Sequence, residues 1–369
     1  MRVVLYGPFL DHQVHLANAL PKNVEILMLL PVPSLPERIT KMVTRDAGIH
    51  VLSIGESARY SVVLPRLLET WKRLKAFDPD VVHVQLGGGW TELAVFPLLM
   101  SHPMVVTFHD VESHLGEGSS KVSLSRGLFR RSCDRIIVHG HSLRERMMNE
   151  FSVPSEKIAV VPLGAPELEA FKMHEKAGVV EEGNIVLFFG RILEYKGLDY
   201  LIKAEPYISA EMPNVKIVIA GEGEDFGKYR MMMAGREDKF IVLNRRISFE
   251  EAAELFQRCS VVVLPYVEAS QSAVIPIAYG FRKAVVATNT GSIPEVVHDG
   301  DTGLVVPPRD SKALAKAVVR LLKDKNLRDG MGTKGQEMLT TALSWERIAV
   351  STMEVYETAI ESRKRHGRS

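Results

Sequence analysis

The stretch Val261–Pro308, VVVLPYVEASQSAVIPIAYGFRKAVVATNTGSIPEVVHDGDTGLVVPP, decides the fold. Its opening apolar run, Val261 to Leu264, reads as a fully buried strand that ends at Pro265-Tyr266. A loop of small and polar residues follows, Glu268-Ala269-Ser270-Gln271-Ser272, and Ala273-Val274-Ile275 then begins a helical pattern. A second buried run, Ala284 to Thr288, stops at Asn289-Thr290-Gly291. Ser292-Ile293-Pro294-Glu295 after it has the form of a capping box with proline in the first turn. Two successive strands therefore each feed a helix start through a small-residue loop. Backbone N–H groups at such starts, on the carboxyl edge of a parallel sheet, suit a phosphate-bearing ligand.

The same rhythm runs outward in both directions. Apolar runs at Arg2–Tyr6, Val24–Leu29, Val51–Ile54, Val81–Gln85, Met104–Phe108, Arg135–Val138 and Ile158–Pro162 predict strands in the first half. Runs at Ile185–Phe189, Lys216–Ala220, Phe240–Leu243, Val261–Leu264, Ala284–Ala287 and Leu304–Val306 predict strands in the second. Helical patterns separate them, which predicts an α/β protein with parallel sheets covered by helices. The rhythm breaks near Gly164–Gly183, where Pro162, Gly164, Pro166, Gly178 and the pair Glu181-Glu182 intervene. The expected organisation is a Rossmann-like domain over residues 1–165, a linker over 166–183 and a second Rossmann-like domain over 184–344, with a ligand cleft between them.

Composition narrows the function classes. A chain of 369 residues fits two domains, and 25% charged residues with a net charge of +1 give no global electrostatic case for nucleic acid. Cys133 and Cys259 are far apart and neither belongs to a CxxC pair, so a disulfide framework or zinc ribbon is not expected and a reducing compartment fits. No run reaches transmembrane length and Met1–Leu5 leads straight into a strand, so a soluble cytoplasmic protein is expected, with any membrane contact peripheral.

Several motifs stand in a telling order: Phe189-Gly190-Arg191 with Lys196-Gly197, then Ala220-Gly221-Glu222-Gly223, then Glu268 in its loop, then Gly291-Ser292-Ile293-Pro294-Glu295. Together they resemble the donor-binding half of GT-B retaining glycosyltransferases of the group 1, family 4-like kind; the first half matches more loosely. The resemblance implies the GT-B fold, two Rossmann-like domains facing across a cleft, with the helix at 345–369 completing the first. It implies sugar transfer from a nucleotide sugar to a hydroxyl acceptor (a sugar, a lipid-linked group or a small molecule), without a metal or other cofactor.

The residues fit that chemistry. Arg191 emerges where a strand ends at Gly190, and Lys196 follows five residues on; two fixed cations stabilise the charge that grows on a departing diphosphate. Pro276 lacks an N–H and is tolerated only in a first helical turn, which sets the helix start near Ala273 and leaves Ala273, Val274 and Ile275 to offer N–H groups, with Gln271 and Ser272 adding side-chain donors. In relatives the loop carboxylate at the place of Glu268 holds sugar hydroxyls. A second glutamate eight residues on, which binds ribose in many members, is Pro276 here. The base is expected against Asn244–Ile247, with Arg246 and Ile247 nearest, and Ser248 with Glu251 forms a capping box just beyond.

In the first half, Gly7 after the opening strand would let backbone approach the ligand, and His109-Asp110 ends another strand. A histidine at that place in relatives lies beside the reacting sugars, positioning a hydroxyl rather than acting as nucleophile. Gln85-Leu86-Gly87-Gly88-Gly89-Trp90 is a candidate acceptor platform. His139-Gly140-His141-Ser142 could suggest a metal pair, but Ser142 with Glu145 forms a capping box that accounts for the pattern without one, and no metal is expected. The segment Lys121–Arg131 reads as an ordinary amphipathic helix with a solvated basic face, contact of that face with anionic lipid being the alternative. The competing functional readings are a nucleotide-sugar epimerase or a phosphorylase on the same fold, and a nucleotide-sugar-binding protein without transferase activity, which Pro276 favours. A phosphorylase would need a far longer chain.

Overall fold

The computed structural model describes residues 1–52, 60–87, 90–110, 120–223 and 225–367. Two parallel sheets carry the architecture. The first contains β1 (Arg2–Tyr6), β2 (Glu25–Leu30), β3 (Gly48–Val51), β4 (Val81–Gln85), β5 (Met104–Phe108), β6 (Arg135–Val138) and β7 (Ile158–Val160) in the order β3-β2-β1-β4-β5-β6-β7. The second contains β8 (Ile185–Phe189), β9 (Lys216–Ala220), β10 (Phe240–Leu243), β11 (Val261–Leu264), β12 (Ala284–Thr288) and β13 (Gly303–Val306) in the order β10-β9-β8-β11-β12-β13. Strand order reverses between β1 and β4 in one sheet and between β8 and β11 in the other. Loops leaving the strands at such a reversal part to opposite faces and open a crevice at the carboxyl edge. Gly7 and Gly87 follow the first pair; Gly190–Lys196 and Glu268–Ser272 follow the second.

Central strands are Val/Ile/Leu-rich because helices cover both of their faces. In the first half these are α1 (Leu10–Ala19), α2 (Glu37–Met42), α3 (Tyr60–Phe77), α4 (Trp90–Leu99), α5 (Ser120–Ser132) and α6 (His141–Phe151). In the second they are α7 (Leu168–Lys172), α8 (Leu198–Glu211), α9 (Gly227–Met233), α10 (Phe249–Arg258), α11 (Val274–Gly280), α12 (Ser311–Lys323) and α13 (Lys325–Thr340), followed by α14 (Trp345–His366). No described helix is long and apolar enough to cross a membrane.

The chain divides into two compact units, one built from Met1–Ser113, Glu117–Gly164 and Ser344–Ser369, the other from Ala165–Leu343. The last helix thus belongs with the first sheet. Ile348, Ala349, Val355, Tyr356 and Ala359 of α14 are buried in one cluster with Val3, Leu5, Met28, Val81 and Val105. A fully buried apolar side chain contributes roughly 1.5–3 kcal/mol, so this face alone accounts for the docking of α14. Its polar element is satisfied as well: Tyr356 Oη and His83 Nδ1 lie 2.8 Å apart, and His83 Nε2 meets Thr107 Oγ1 at 2.7 Å.

The stretch 166–183 folds onto the second unit. Phe171 of α7 packs against Phe249 and Phe256 of α10. Glu181 accepts from Arg328 Nη2 at 2.6 Å and from Lys283 Nζ at 2.9 Å, and both cations are almost fully buried. Glu182 pairs at the surface with Arg258. The acidic pair that breaks the strand-helix rhythm is therefore a counter-ion set.

Four local expectations need correction. The third strand is Gly48–Val51, earlier than Val51–Ile54, because its register pairs Gly48 with Leu27 and Val51 with Leu30. Ser292 does not cap a helix: Ile293–Glu295 is one 3-10 turn, closed by Glu295 N donating to the Ser292 carbonyl, and the Ser292 hydroxyl is buried without a partner. Ser142 is not a cap either, since α6 starts at His141, two residues earlier than a cap at Ser142 would place it, with Gly140 at its N-cap. Ser248 does cap α10 through Glu251 N at 3.2 Å, but the Glu251 carboxylate turns to Arg245 instead of completing the box.

Candidate functional site

Three loops of the second unit are tied to one another by backbone contacts that glycine makes possible. Gly197 (φ +64) lies where a Cβ would sit 2.1 Å from the Pro265 carbonyl, and Val267 N donates to Tyr195 O at 2.8 Å. Those contacts join the β8–α8 loop, which carries Arg191 and Lys196, to the β11–α11 loop, which carries Glu268. Gly291 (φ +49) lies where a Cβ would sit 1.7 Å from the Ala269 carbonyl, and Ser292 N donates to Ser270 O at 3.2 Å. That joins the β12 loop to the same centre. A fourth loop is stitched on the other side: Ile192 bridges Gly223, whose N–H donates to Asn244 Oδ1 at 3.0 Å.

Within this scaffold Gly190, Lys196 and α11 converge. Gly190 has φ +109, and the place of its missing Cβ lies 3.0 Å from Lys196 Nζ and 3.8 Å from Val274 Cγ2. Lys196 Nζ also sits 5.3 Å from the Tyr266 ring centroid, within cation-π range. Tyr266 keeps its proton, because burial pushes the phenol up to about 12. Ala273 is the N-cap of α11 and Pro276 its third residue, where a missing N–H costs nothing. Ser272 Oγ already accepts from Val274 N at 3.3 Å, so that amide has a local partner. Arg191 is exposed and Glu268 half-buried.

Sequence reading missed part of this site. It named Gln271, whose side-chain carbonyl oxygen is buried without a hydrogen-bond partner, but not the hydroxyls of Ser270, Thr290 and Ser292, which are buried and unpartnered too. Buried polar groups normally find partners, so a cluster of four on adjoining loops marks a place for a polar ligand. Repeated Ser, Thr and Gln in loops that follow buried strands was the available signal. The base loop is less assembled: Arg246 is exposed, Ile247 is partly buried against the core, and Arg245 is held by Glu251 at 2.6 Å. A groove of about 670 Å³ along β10 shares Asn244 and Arg245 with this loop but holds neither Lys196 nor Glu268.

In the first unit, Gly7 (φ +145) lies against Gln85, where a Cβ would sit 2.3 Å from the carbonyl. Gln13 Nε2 donates to Gly7 O at 2.5 Å, and Gln85 Nε2 meets His12 Nδ1 at 2.7 Å. His109 is buried beneath Phe9, ring centroids 4.1 Å apart. Its tautomer follows from its partners. His139 Nδ1 lies 2.9 Å from the Val161 carbonyl, which can only accept, so that nitrogen bears the proton. His139 Nε2 is then an acceptor and takes the Nδ1–H of His109 at 3.1 Å. Burial pulls both rings to the neutral form, His139 to about 4, and His109 well below its ordinary value with the neighbouring His139 adding to the effect. His109 Nε2 is left with a lone pair, buried and without a partner. It is suited to accept a hydrogen bond from a hydroxyl.

His139 therefore has a partner set that needs no metal, and no group of three or more metal-ligating side chains occurs among the described residues. Trp90 begins α4 with its indole N–H buried and unpartnered; Gly88 and Gly89 lie outside the described residues.

The family described as glycosyl transferases group 1 matches residues 183–324, and glycosyltransferase family 4 matches residues 12–166. An uncharacterised glycosyltransferase of Methanocaldococcus jannaschii is 28% identical over 241 residues, covering 62% of this chain and 61% of that one. The phosphatidyl-myo-inositol mannosyltransferase of Mycolicibacterium smegmatis is 26% identical over 360 residues, 95% of this chain and 90% of the relative. Among solved structures, Anabaena HepE in complex with UDP and glucose superposes with a TM-score of 0.71 at 16% identity, covering 97% of this chain and all of that one. The GT-B expectation for the fold holds.

Proposed function

This chain belongs to the group 1 glycosyltransferases, and from that premise we propose that it is a retaining hexosyltransferase acting on a nucleotide-diphosphate sugar and a hydroxyl acceptor. One observation carries the reading: Lys196 Nζ beside Gly190 and α11, on loops locked together through Gly197 and Gly291. As the bond from anomeric carbon to phosphate oxygen breaks, charge builds on the leaving diphosphate. Lys196 and Arg191 stabilise that charge, and because the loops hold Lys196 in place, little reorganisation opposes it. The backbone at Ala273–Ile275 and the unpartnered Ser270, Gln271, Thr290 and Ser292 side chains supply the remaining polar contacts. Glu268 accepts hydrogen bonds from the donor sugar's hydroxyls. His109 Nε2 accepts one more hydroxyl and, as a neutral ring with no spare proton, positions rather than attacks. With Lys196 and Arg191 supplying positive charge at the diphosphate, the proposed transfer proceeds without a metal.

The test is thermal-shift titration against UDP, GDP, ADP and their sugar conjugates in EDTA, followed by turnover with the stabilising donor. Arg191→Ala and Lys196→Ala should each lower turnover by about 10²–10³-fold while the protein stays folded. A protein stabilised by a donor yet inert towards acceptors, and losing only affinity in these variants, would instead support the binding-protein reading suggested by Pro276.

A further inference from the structure

The second sheet is open along one edge. At one end β13 buries three of its four residues. At the other, β10 reads Phe-Ile-Val-Leu with neither a proline nor a charge, and Ile241 and Val242 are 43% and 36% exposed. Edge strands usually carry such guards, because their unpaired N–H and C=O groups invite another strand. A groove flanks β10 on each face. Phe240 and Val242 open onto one of about 670 Å³, shared with Phe226 and Met233. Ile241 opens onto another of about 390 Å³, shared with Val218 and Leu255. Room is therefore left on both faces for the side chains of a further strand.

The backbone indicates which strand. β10 pairs in parallel with β9, Leu243 opposite Ala220, and Gly221 N donates to Leu243 O at 3.1 Å. Alternate residues of a ladder face the neighbouring strand, so Ile241 and Leu243 face β9 while Phe240 and Val242 face outward. The Phe240 N–H already donates to the Glu237 carbonyl. The open edge is left with the Phe240 C=O, both groups of Val242 and, just past the strand, the Asn244 N–H, which no described group accepts. An antiparallel copy of β10 on a twofold axis through Val242 uses this whole set. Val242 exchanges both bonds with Val242 of the second copy, and each Asn244 N–H meets the opposite Phe240 C=O. Charge agrees, because exposed Asp238 falls opposite exposed Arg246 of the second copy. Lys239 falls opposite Arg245, but both are engaged at home, Lys239 with the Pro213 carbonyl at 2.8 Å and Arg245 with Glu251. We propose that β10 pairs antiparallel with β10 of a second copy of this chain, joining two six-stranded sheets into one across a twofold axis. The pairing is independent of the donor reading above. A strand from another protein is the competing occupant; nothing on this edge selects one, whereas its groups and charges match its own reverse.

The test is sedimentation of the full chain over a dilution series, beside Val242→Pro. The contact is small, so the expected wild-type behaviour is a dimer that dissociates on dilution. Val242→Pro removes an N–H that the chain's own sheet does not use, a change edge strands accept, and should stay folded while weakening association by about tenfold or more. Oxidative cross-linking checks the register. Opposed Cα atoms in a hydrogen-bonded antiparallel pair lie about 5.5 Å apart, within disulfide reach. Val242→Cys should therefore form a covalent dimer, and Ile241→Cys, which faces Leu243 of the second copy, should do so about tenfold less. The native Cys133 and Cys259 are buried and stay out of the reaction. Should Val242→Pro unfold, the two cysteine variants decide alone. A monomer at every concentration, a dimer unchanged in a folded Val242→Pro, or equal cross-linking at the two positions would each overturn the proposal.

Discussion

Gly291→Ala offers a sharp test of how the second unit's loops are held, when compared with Gly300→Ala. Both glycines have positive φ, +49 and +75, so both variants bear the left-handed cost of about 1–2 kcal/mol. They differ in surroundings. Nothing lies within 4 Å of a Cβ at Gly300, whereas at Gly291 the Ala269 carbonyl oxygen is 1.7 Å away. Carbon and oxygen need about 3.5 Å, so the two loops must part by roughly 2 Å. Parting them breaks the hydrogen bond from Ser292 N to Ser270 O, worth about 1 kcal/mol, and loosens buried Ala269 and Ile293 by about as much again. Gly291→Ala should therefore be less stable by about 3–4 kcal/mol and Gly300→Ala by about 1–2. Urea unfolding gives the stabilities, and titration with the stabilising nucleotide gives the affinities. Affinity should fall at least tenfold in Gly291→Ala alone, because its loops carry Glu268, Ser270 and Ser292. Equal losses in both variants, or wild-type affinity in Gly291→Ala, would refute the argument that this contact sets the site.

Three further outcomes follow from buried groups. Glu181→Ala strands Lys283 and Arg328 and should cost about 3–5 kcal/mol in urea unfolding, against less than about 1 for Glu182→Ala at the surface. The histidines of the first unit make its stability acid-sensitive: His139 and His83 titrate at about 4 and about 3 when folded, so the unfolded chain binds more protons between those values and roughly 6.5. Their contribution is complete above pH 6.5 and is lost as pH falls, by about 1.4 kcal/mol per pH unit for each, and unfolding midpoints in His83→Gln should depend less steeply on pH. Cys133 and Cys259 are buried with thiols pushed up to about 12, so native protein should resist a thiol-specific reagent at pH 8 while denatured protein reacts at both.

The fold was legible because parallel strands advertise themselves. Runs such as Val261–Leu264 and Met104–Phe108 have no polar face to confuse their reading, and their observed limits match the expected ones. The misplaced third strand has an exposed Gly48 and one fully buried side chain, so its pattern is faint and its register comes from β2. Capping signals proved less transferable. Ser248 caps its helix, but after Ser292 the chain makes one tight turn instead of an α-helix, and at Ser142 the helix has already begun. The candidate site was legible as a set of loops, through glycines whose conformations and close approaches no other residue would tolerate. The His109–His139–Val161 chain was not, since it joins three separate strand ends through tertiary contact.

The placement of α14 bears on how the protein is made. It is encoded after the whole of the second unit, yet its Ile348 and Tyr356 complete the core around Val3, Leu5 and His83. During synthesis the opening sheet must wait, with part of one apolar face uncovered, until the codons for Ala165–Leu343 have been read. The second unit has all its parts earlier and should mature first, reversing the order in which domains usually leave the ribosome. A chain stalled or cut near Leu343 would keep a finished second unit beside a first one that exposes its core, a species for chaperones or proteases to handle.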